Sequence, residues 1–241
     1  MPLPPDWTRA APVECLEALL IRADWASVSG SLVRGMVHDS RGALQILTLL
    51  SHSGAPRSAA DEASVQGHAA GAVDHLAAAV ERFGTVFATP PRDLEPVIAE
   101  DVLAEVAELQ RFQKALPAMH VEVRSAGGLP PVRAVETDLR HALLSLIKNA
   151  KEAAAPAGGR LVLGARAHGE GVEILVQDDG PGFPAGLAER AFEPFVSTRE
   201  GHLGIGLTAV RLLVERWGGR VRLGPEGSGA EVAIQLVRWK R

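Results

Sequence analysis

The chain has 241 residues, enough for one large or two small domains. Apolar residues make up 46% of it and aromatics only 4%, with no tyrosine, so Leu, Val, Ile and Ala must fill any core. Its net charge of −4, with no lysine- or arginine-rich tract, gives no basic surface for nucleic acid; the single cysteine, Cys15, excludes an intramolecular disulfide; and no run approaches the ~18 apolar residues of a membrane span.

The start, MPLPPDW, lacks a basic region followed by an apolar stretch, so no secretory leader is expected. A lone cysteine fits a reducing cytosol. Residues 1–24 read as a Pro-rich entry and a short apolar helical stretch, Val13 to Ile21. From Trp25 to His52 the pattern is helical. Val33, Met36, Ala43, Leu44, Leu47 and Leu50 recur at three- and four-residue steps on one face. His38 lies off that face, near Arg34, Arg41 and Gln45, with Asp39 next in sequence. Residues 51–60, SHSGAPRSAA, read as a loop.

A second helix is expected over 61–88. Ala69, Leu76 and Phe83 repeat at seven residues, as do Val73, Val80 and Phe87. The run is short for a free-standing coiled coil. A helical hairpin over 25–90 that dimerises into a four-helix bundle is the better arrangement. Thr89-Pro90-Pro91 ends this helix and marks the boundary with a second domain, 92–241.

That domain alternates between strands and helices. Asp101 to Leu116 is an amphipathic helix, and Val121 to Val123 a short strand. A brief extended piece follows Leu129-Pro130-Pro131. A helix over 137–155 then places Leu139, Ala142, Leu143, Leu146, Ile147 and Ala150 at helical spacing. Gly158-Gly159 reads as a hairpin-like turn. Strands are expected at 160–167 and 172–178, a loop-rich stretch at 179–203, a helix from Gly206 to Trp217, and strands at 220–224 and 230–237 around a turn at 227–229. Helices on one face of a mixed sheet make an α+β sandwich.

Three spots in this frame carry chemistry. Asp178 ends an apolar strand, and Gly180 and Gly182 let the backbone turn sharply beyond it. Its carboxylate can accept a hydrogen bond from an exocyclic amine such as that of adenine. Taken alone, Asp-x-Gly-x-Gly is equally a turn between strands. Gly204-Ile205-Gly206 opens a helix, where backbone N–H groups can cradle phosphate. Taken alone, His38 is an ordinary surface histidine; an imidazole is also a nucleophile near neutral pH, and the Asp39 carboxylate next to it can orient the ring and take its proton. Arg41 is either a partner for phosphoryl charge or a solvated helix charge. Lys148 and Lys151 read as exposed helix lysines, and Arg199 suits a phosphate.

In order and spacing, LLSLIKNAKEA (143–153), DDGPG (178–182), FEPFVSTRE (192–200) and GHLGIGLTAVRLL (201–213) resemble the N box, first glycine box, F box and second glycine box of the GHKL ATPases. MVHDSRGALQIL (36–47) resembles the H box of sensor histidine kinases. The resemblance covers roughly residues 28–238. It implies a dimeric phosphoacceptor hairpin followed by an α+β sandwich of the GHKL (Bergerat) type.

The resemblance further implies that His38 accepts a phosphoryl group with Asp39 beside it. Asn149 holds Mg2+, Asp178 reads adenine above the Gly180 and Gly182 turn, and the His202, Gly204 and Gly206 loop contacts the phosphates of ATP. NAxEA and PF-x-(S/T)-T resemble the nitrogen-regulatory type of transmitter. The implied activity is an ATP-dependent histidine protein kinase that passes its phosphoryl group to an aspartate of a response-regulator receiver. A histidine phosphotransfer or scaffold protein with a degenerate ATP-binding domain is the alternative. Expected partners are a second copy of the chain, a receiver, and a separate sensor or input protein, all in the cytoplasm.

Three positions depart from the pattern. His202 stands where the second glycine box begins with glycine, where it either crowds the phosphates or donates to them. Ser145 stands where relatives carry a further asparagine. Gly42 stands where relatives carry the Asn or Thr that holds water for dephosphorylating the receiver.

Overall fold

A computed structural model describes residues 12–52, 58–87, 93–113, 116–154, 158–184, 186–188, 190–199, 202–225 and 229–240. The expected break at 89–91 and most of the expected turn at 227–229 lie outside them. The chain divides into two compact units.

One unit holds residues 29–89 and 112–115. It contains most of a long helix, α1 (Pro12–His52), and all of α2 (Ala59–Phe87). The sequence suggested a stretch ending at Ile21 and a second helix from Trp25. The two are one helix of 41 residues, because Arg22-Ala23-Asp24 contains no breaker. α1 also reaches two residues into the expected 51–60 loop, and α2 starts at Ala59. Ser58 caps α2, its Oγ accepting the Asp61 N–H at 3.1 Å. Leu32, Met36, Ala43 and Ala72 are buried. Leu44, expected on the inner face, is 52% exposed, and Ile46, Leu49 and Val73 are exposed as well.

The other unit holds the described residues up to Val28, with 90–111 and 116–241. Its framework is a five-stranded mixed sheet in the order β2-β4-β5-β7-β6, built from β2 (Met119–Ser125), β4 (Gly159–His168), β5 (Gly171–Asp178), β6 (Arg220–Leu223) and β7 (Glu231–Leu236). A two-stranded piece pairs β1 (Glu95–Val97) with β3 (Val132–Ala134). β1 carries no alternating apolar signal and was not foreseen.

Side chains alternate across the sheet. Leu161, Leu163 and Ala165 of β4 lie opposite Asp178, Val176 and Ile174 of β5. Ile174 and Val176 in turn lie opposite Ile234 and Val232 of β7. All of these are buried. The apolar stripes of α3 (Ala99–Leu109), α4 (Glu136–Ala153) and α5 (Gly206–Arg216) supply the rest of the core through Leu103, Leu139, Leu143, Ile147, Val210 and Leu213. The sandwich is therefore as expected, with two local corrections. α3 stops at Leu109 and tightens into a 3₁₀ turn over Gln110–Phe112 rather than running to Leu116. Gly158-Gly159 is not a hairpin turn: β4 starts at Gly159 and pairs parallel with β2, so α4 is the crossover between them.

On the opposite face of the sheet, the fully buried carboxylate of Glu173 accepts hydrogen bonds from Arg166, from Arg222 at 2.8 Å and from Gln235 at 3.0 Å. The first turns of α1 belong to this unit too. Asp24 and His141 of α4 form a buried pair at 2.9 Å, and Trp25 lies against the imidazole at 4.9 Å between ring centroids.

Candidate nucleotide site and phosphoacceptor

Asp178 is carried to the end of β5 by the ladder with β7, its N–H bonded to the Ala230 carbonyl at 2.9 Å. Its Oδ1 accepts the backbone N–H groups of Gly180 at 2.9 Å and Ala230 at 3.1 Å. Among the described residues both of these backbone donors meet Oδ1, and no donor is paired with Oδ2. Burial pushes the Asp178 carboxyl up, against the pull of those two N–H groups. Gly182 takes the left-handed backbone, φ 75°, that the turn beyond Asp178 requires.

Asn149 sits in the last turns of α4, with Ser145 one turn earlier. Both face the start of α5. A Cβ added to Gly206 would lie 3.0 and 3.2 Å from the two Asn149 amide atoms and 3.3 Å from Ser145 Oγ. Glycine at 206 thus lets the start of α5 come close to the Asn149 amide and the Ser145 hydroxyl. Polar side chains beside the N–H groups of a helix N-terminus suit an oxyanion and its counter-ion. Among the described residues, no three His, Cys, Asp or Glu side chains gather to hold a metal by themselves. A single amide oxygen fits Mg2+, which keeps several waters and takes its remaining ligands from bound phosphates.

The segment before α5 is a closed loop. Phe195 N–H donates to the Gly204 carbonyl at 2.9 Å. Gly204, φ 64°, passes so near Val196 that a Cβ would lie 2.5 Å from its carbonyl oxygen. Phe195 itself adopts φ 67° and is 67% exposed, so its ring is not packed on the sheet. Phe192 is anchored instead, its carbonyl accepting Thr208 Oγ at 3.0 Å and its ring lying 5.9 Å from the Arg211 guanidinium.

Glu152 was missed by the sequence reading, although it stands inside the quoted NAKEA string. Its side chain is 10% exposed and gathers an ammonium, a guanidinium and an imidazole. Lys148 Nζ lies 2.6 Å from Oε1, while Arg199 Nη1 and His202 Nδ1 lie 3.5 and 3.4 Å from Oε2. Arg199 also donates to the Asn149 carbonyl at 3.2 Å. The two lysines are not the exposed residues expected. Lys148 is held on Glu152, and Lys151 is buried, donating to the Gln110 carbonyl at 2.6 Å. Burial pushes the Lys151 ammonium down to about 8.

In the other unit, His38 lies on the outside of α1 with its side chain 77% exposed. Its Nδ1 is 3.4 Å from Asp39 Oδ1. Gly42, one turn on, has open space where a side chain would point.

Residues 134–239 match the family described as histidine kinase-, DNA gyrase B-, and HSP90-like ATPase. The chain is 33% identical over 168 residues to the nitrogen regulation protein NtrY of Azorhizobium caulinodans, covering 65% of this chain and 21% of NtrY. It is 32% identical over 118 residues to the sensory histidine kinase/phosphatase NtrB of Escherichia coli O157:H7, covering 45% of this chain and 34% of NtrB. A solved structure of full-length ShkA in complex with AMPPNP aligns with 96% of this chain and 47% of its own, at 27% identity and a TM-score of 0.54.

By homology the chain resembles the transmitter of sensor histidine kinases. Its helical hairpin and ATPase-type sandwich are the two parts of such a transmitter. It spans about a fifth to two fifths of the length of the curated relatives it matches. Among the described residues, no helix is long and apolar enough to cross a membrane.

Proposed function

We propose that this transmitter is an ATP-dependent protein-histidine kinase that phosphorylates His38 and passes the phosphoryl group to a receiver aspartate. The observation that carries the proposal is the meeting of Asn149, Ser145 and the α5 N-terminus, which the glycine at 206 lets approach closely. In this reading Asp178 Oδ2 accepts the adenine amine, and the loop ending in His202, Gly204 and Gly206 turns its N–H groups toward the phosphates. Asn149 Oδ1 would hold Mg2+, which neutralises phosphate charge.

His38 attacks through Nε2. Asp39 favours a proton on Nδ1, which leaves the Nε2 lone pair free. The Nε2–phosphorus bond forms as the γ-phosphorus leaves the ADP oxygen, and catalysis is positioning and charge neutralisation. The hairpin of 25–90 is then the phosphotransfer and dimerisation domain, and 92–241 the catalytic domain. The partners are a second copy, a receiver and an input protein, in the cytosol.

Incubation with γ-labelled ATP tests this. Wild type should carry acid-labile label, and His38→Ala should lose it while still binding ATP. Label that persists on His38→Ala overturns the assignment. The alternative, a phosphotransfer or scaffold protein with little ATP turnover, is favoured by His202 in the glycine box. It predicts an unlabelled wild type that a phosphorylated receiver can still charge on His38.

A further inference from the structure

We infer that Glu152 is a positioning residue that stands in for nucleotide phosphate: its carboxylate holds Arg199 and His202 until a phosphate displaces it. The inference rests on the ATP-binding reading above. Arg199 and His202 lie within the segment whose ends meet at Phe195 and Gly204, and both approach one oxygen, Oε2, of a largely buried carboxylate. A largely buried carboxylate contacted by an ammonium, a guanidinium and an imidazole has the set of partners that a phosphate would otherwise take. Glu152 lies one turn beyond Asn149, so the tether crosses the end of α4 beside the place where Asn149 meets Gly206.

A phosphate arriving there competes with Oε2 for the same two donors. Lys148, bonded to Oε1, stays with the carboxylate and keeps it paired after the exchange. The tether also accounts for His202. Where the relatives carry glycine, this chain has a side chain whose Nδ1 reaches Glu152, so the imidazole is drawn toward α4 and the loop is fastened at both ends.

Two measurements on the full chain test this. The first needs no nucleotide. Trypsin cleavage after Arg199 should speed up about fivefold or more in Glu152→Gln, which loses a hydrogen bond to a charged group, and in His202→Gly, which loses the second contact to Glu152. In the double variant the effects should not add, because one contact has been removed twice. Fully additive effects, or no change in cleavage, refute the tether.

The second is titration with ATP, ADP and adenosine. Glu152→Gln removes the competitor, so ATP should bind about tenfold tighter while adenosine affinity moves less than about twofold. An equal shift for adenosine and ATP, or weaker ATP binding with adenosine unchanged, refutes the phosphate stand-in. Retained adenosine binding in the variant shows that the site is folded. If wild type binds none of the three ligands, the ATP-binding reading fails, and the cleavage arm still decides whether Glu152 holds the loop.

Discussion

Asp178→Asn separates recognition from stability. The carbonyl of the substituted amide would keep the place of Oδ1 and accept the Gly180 and Ala230 N–H groups, now at 2.9 and 3.1 Å. Its NH2 would then occupy the place of Oδ2 and point a donor at the donor amine of adenine. The exchange loses one hydrogen bond to a charged acceptor, about 1.5–3 kcal/mol, which is about 10- to 150-fold in the Kd for ATP. Stability should move the other way. Burial raises the folded pKa of Asp178, so the folded state binds this proton more tightly than the unfolded chain. Its contribution is therefore most favourable below the ordinary carboxylate range and declines as pH rises through the ordinary and then the raised value. At pH 7 the ionised group weakens the fold, and the neutral amide should leave the thermal midpoint unchanged or higher. Calorimetric titration with ATP and thermal melts at pH 7 read the two effects. A Kd within about threefold of wild type, in a protein that melts normally, would refute the assignment of Oδ2 to adenine.

Burial works to raise Glu173, yet Gln235, Arg222 and Arg166 hold it down to about 2 from 4.5. Its contribution is present above 4.5 and lost as pH falls toward 2, so urea midpoints should drop through that window, and Glu173→Gln should flatten the drop. Asp24→Ala leaves the His141 imidazole without its partner in a buried site and should cost about 1–3 kcal/mol in denaturant unfolding; no loss would mean the pair contributes nothing. Gly42 offers no side chain to hold water, so the chain should barely accelerate the decay of a phosphorylated receiver. The open space there lets Gly42→Asn be made without a clash, and decay timed with that variant should quicken.

The architecture was largely legible in the sequence because it follows from periodicity. The buried stripe of α4 repeats at helical spacing, and β5 reads as an apolar run, neither of which needs a tertiary contact to read. β1 escaped because three residues cannot show a period. The end of α3 escaped because its apolar pattern runs on while the backbone tightens at Gln110. The union of α1 across Trp25 escaped because a change of composition there reads as a break.

The sequence by itself determined which residue types stand at the strand end, the helix end and the glycine loop, since a carboxylate, an amide and unhindered backbone are properties of single positions. Only the tertiary structure decided which of them meet. It set Gly206 against Asn149 and Ser145, directed both described donors of Asp178 onto one oxygen, buried Lys151, and drew Arg199 and His202 onto Glu152. Arg199 and His202 lie about fifty residues from Glu152, and a long side chain can turn toward several neighbours. Its partner is fixed by which loop the packing lays across the helix, and no local pattern encodes that.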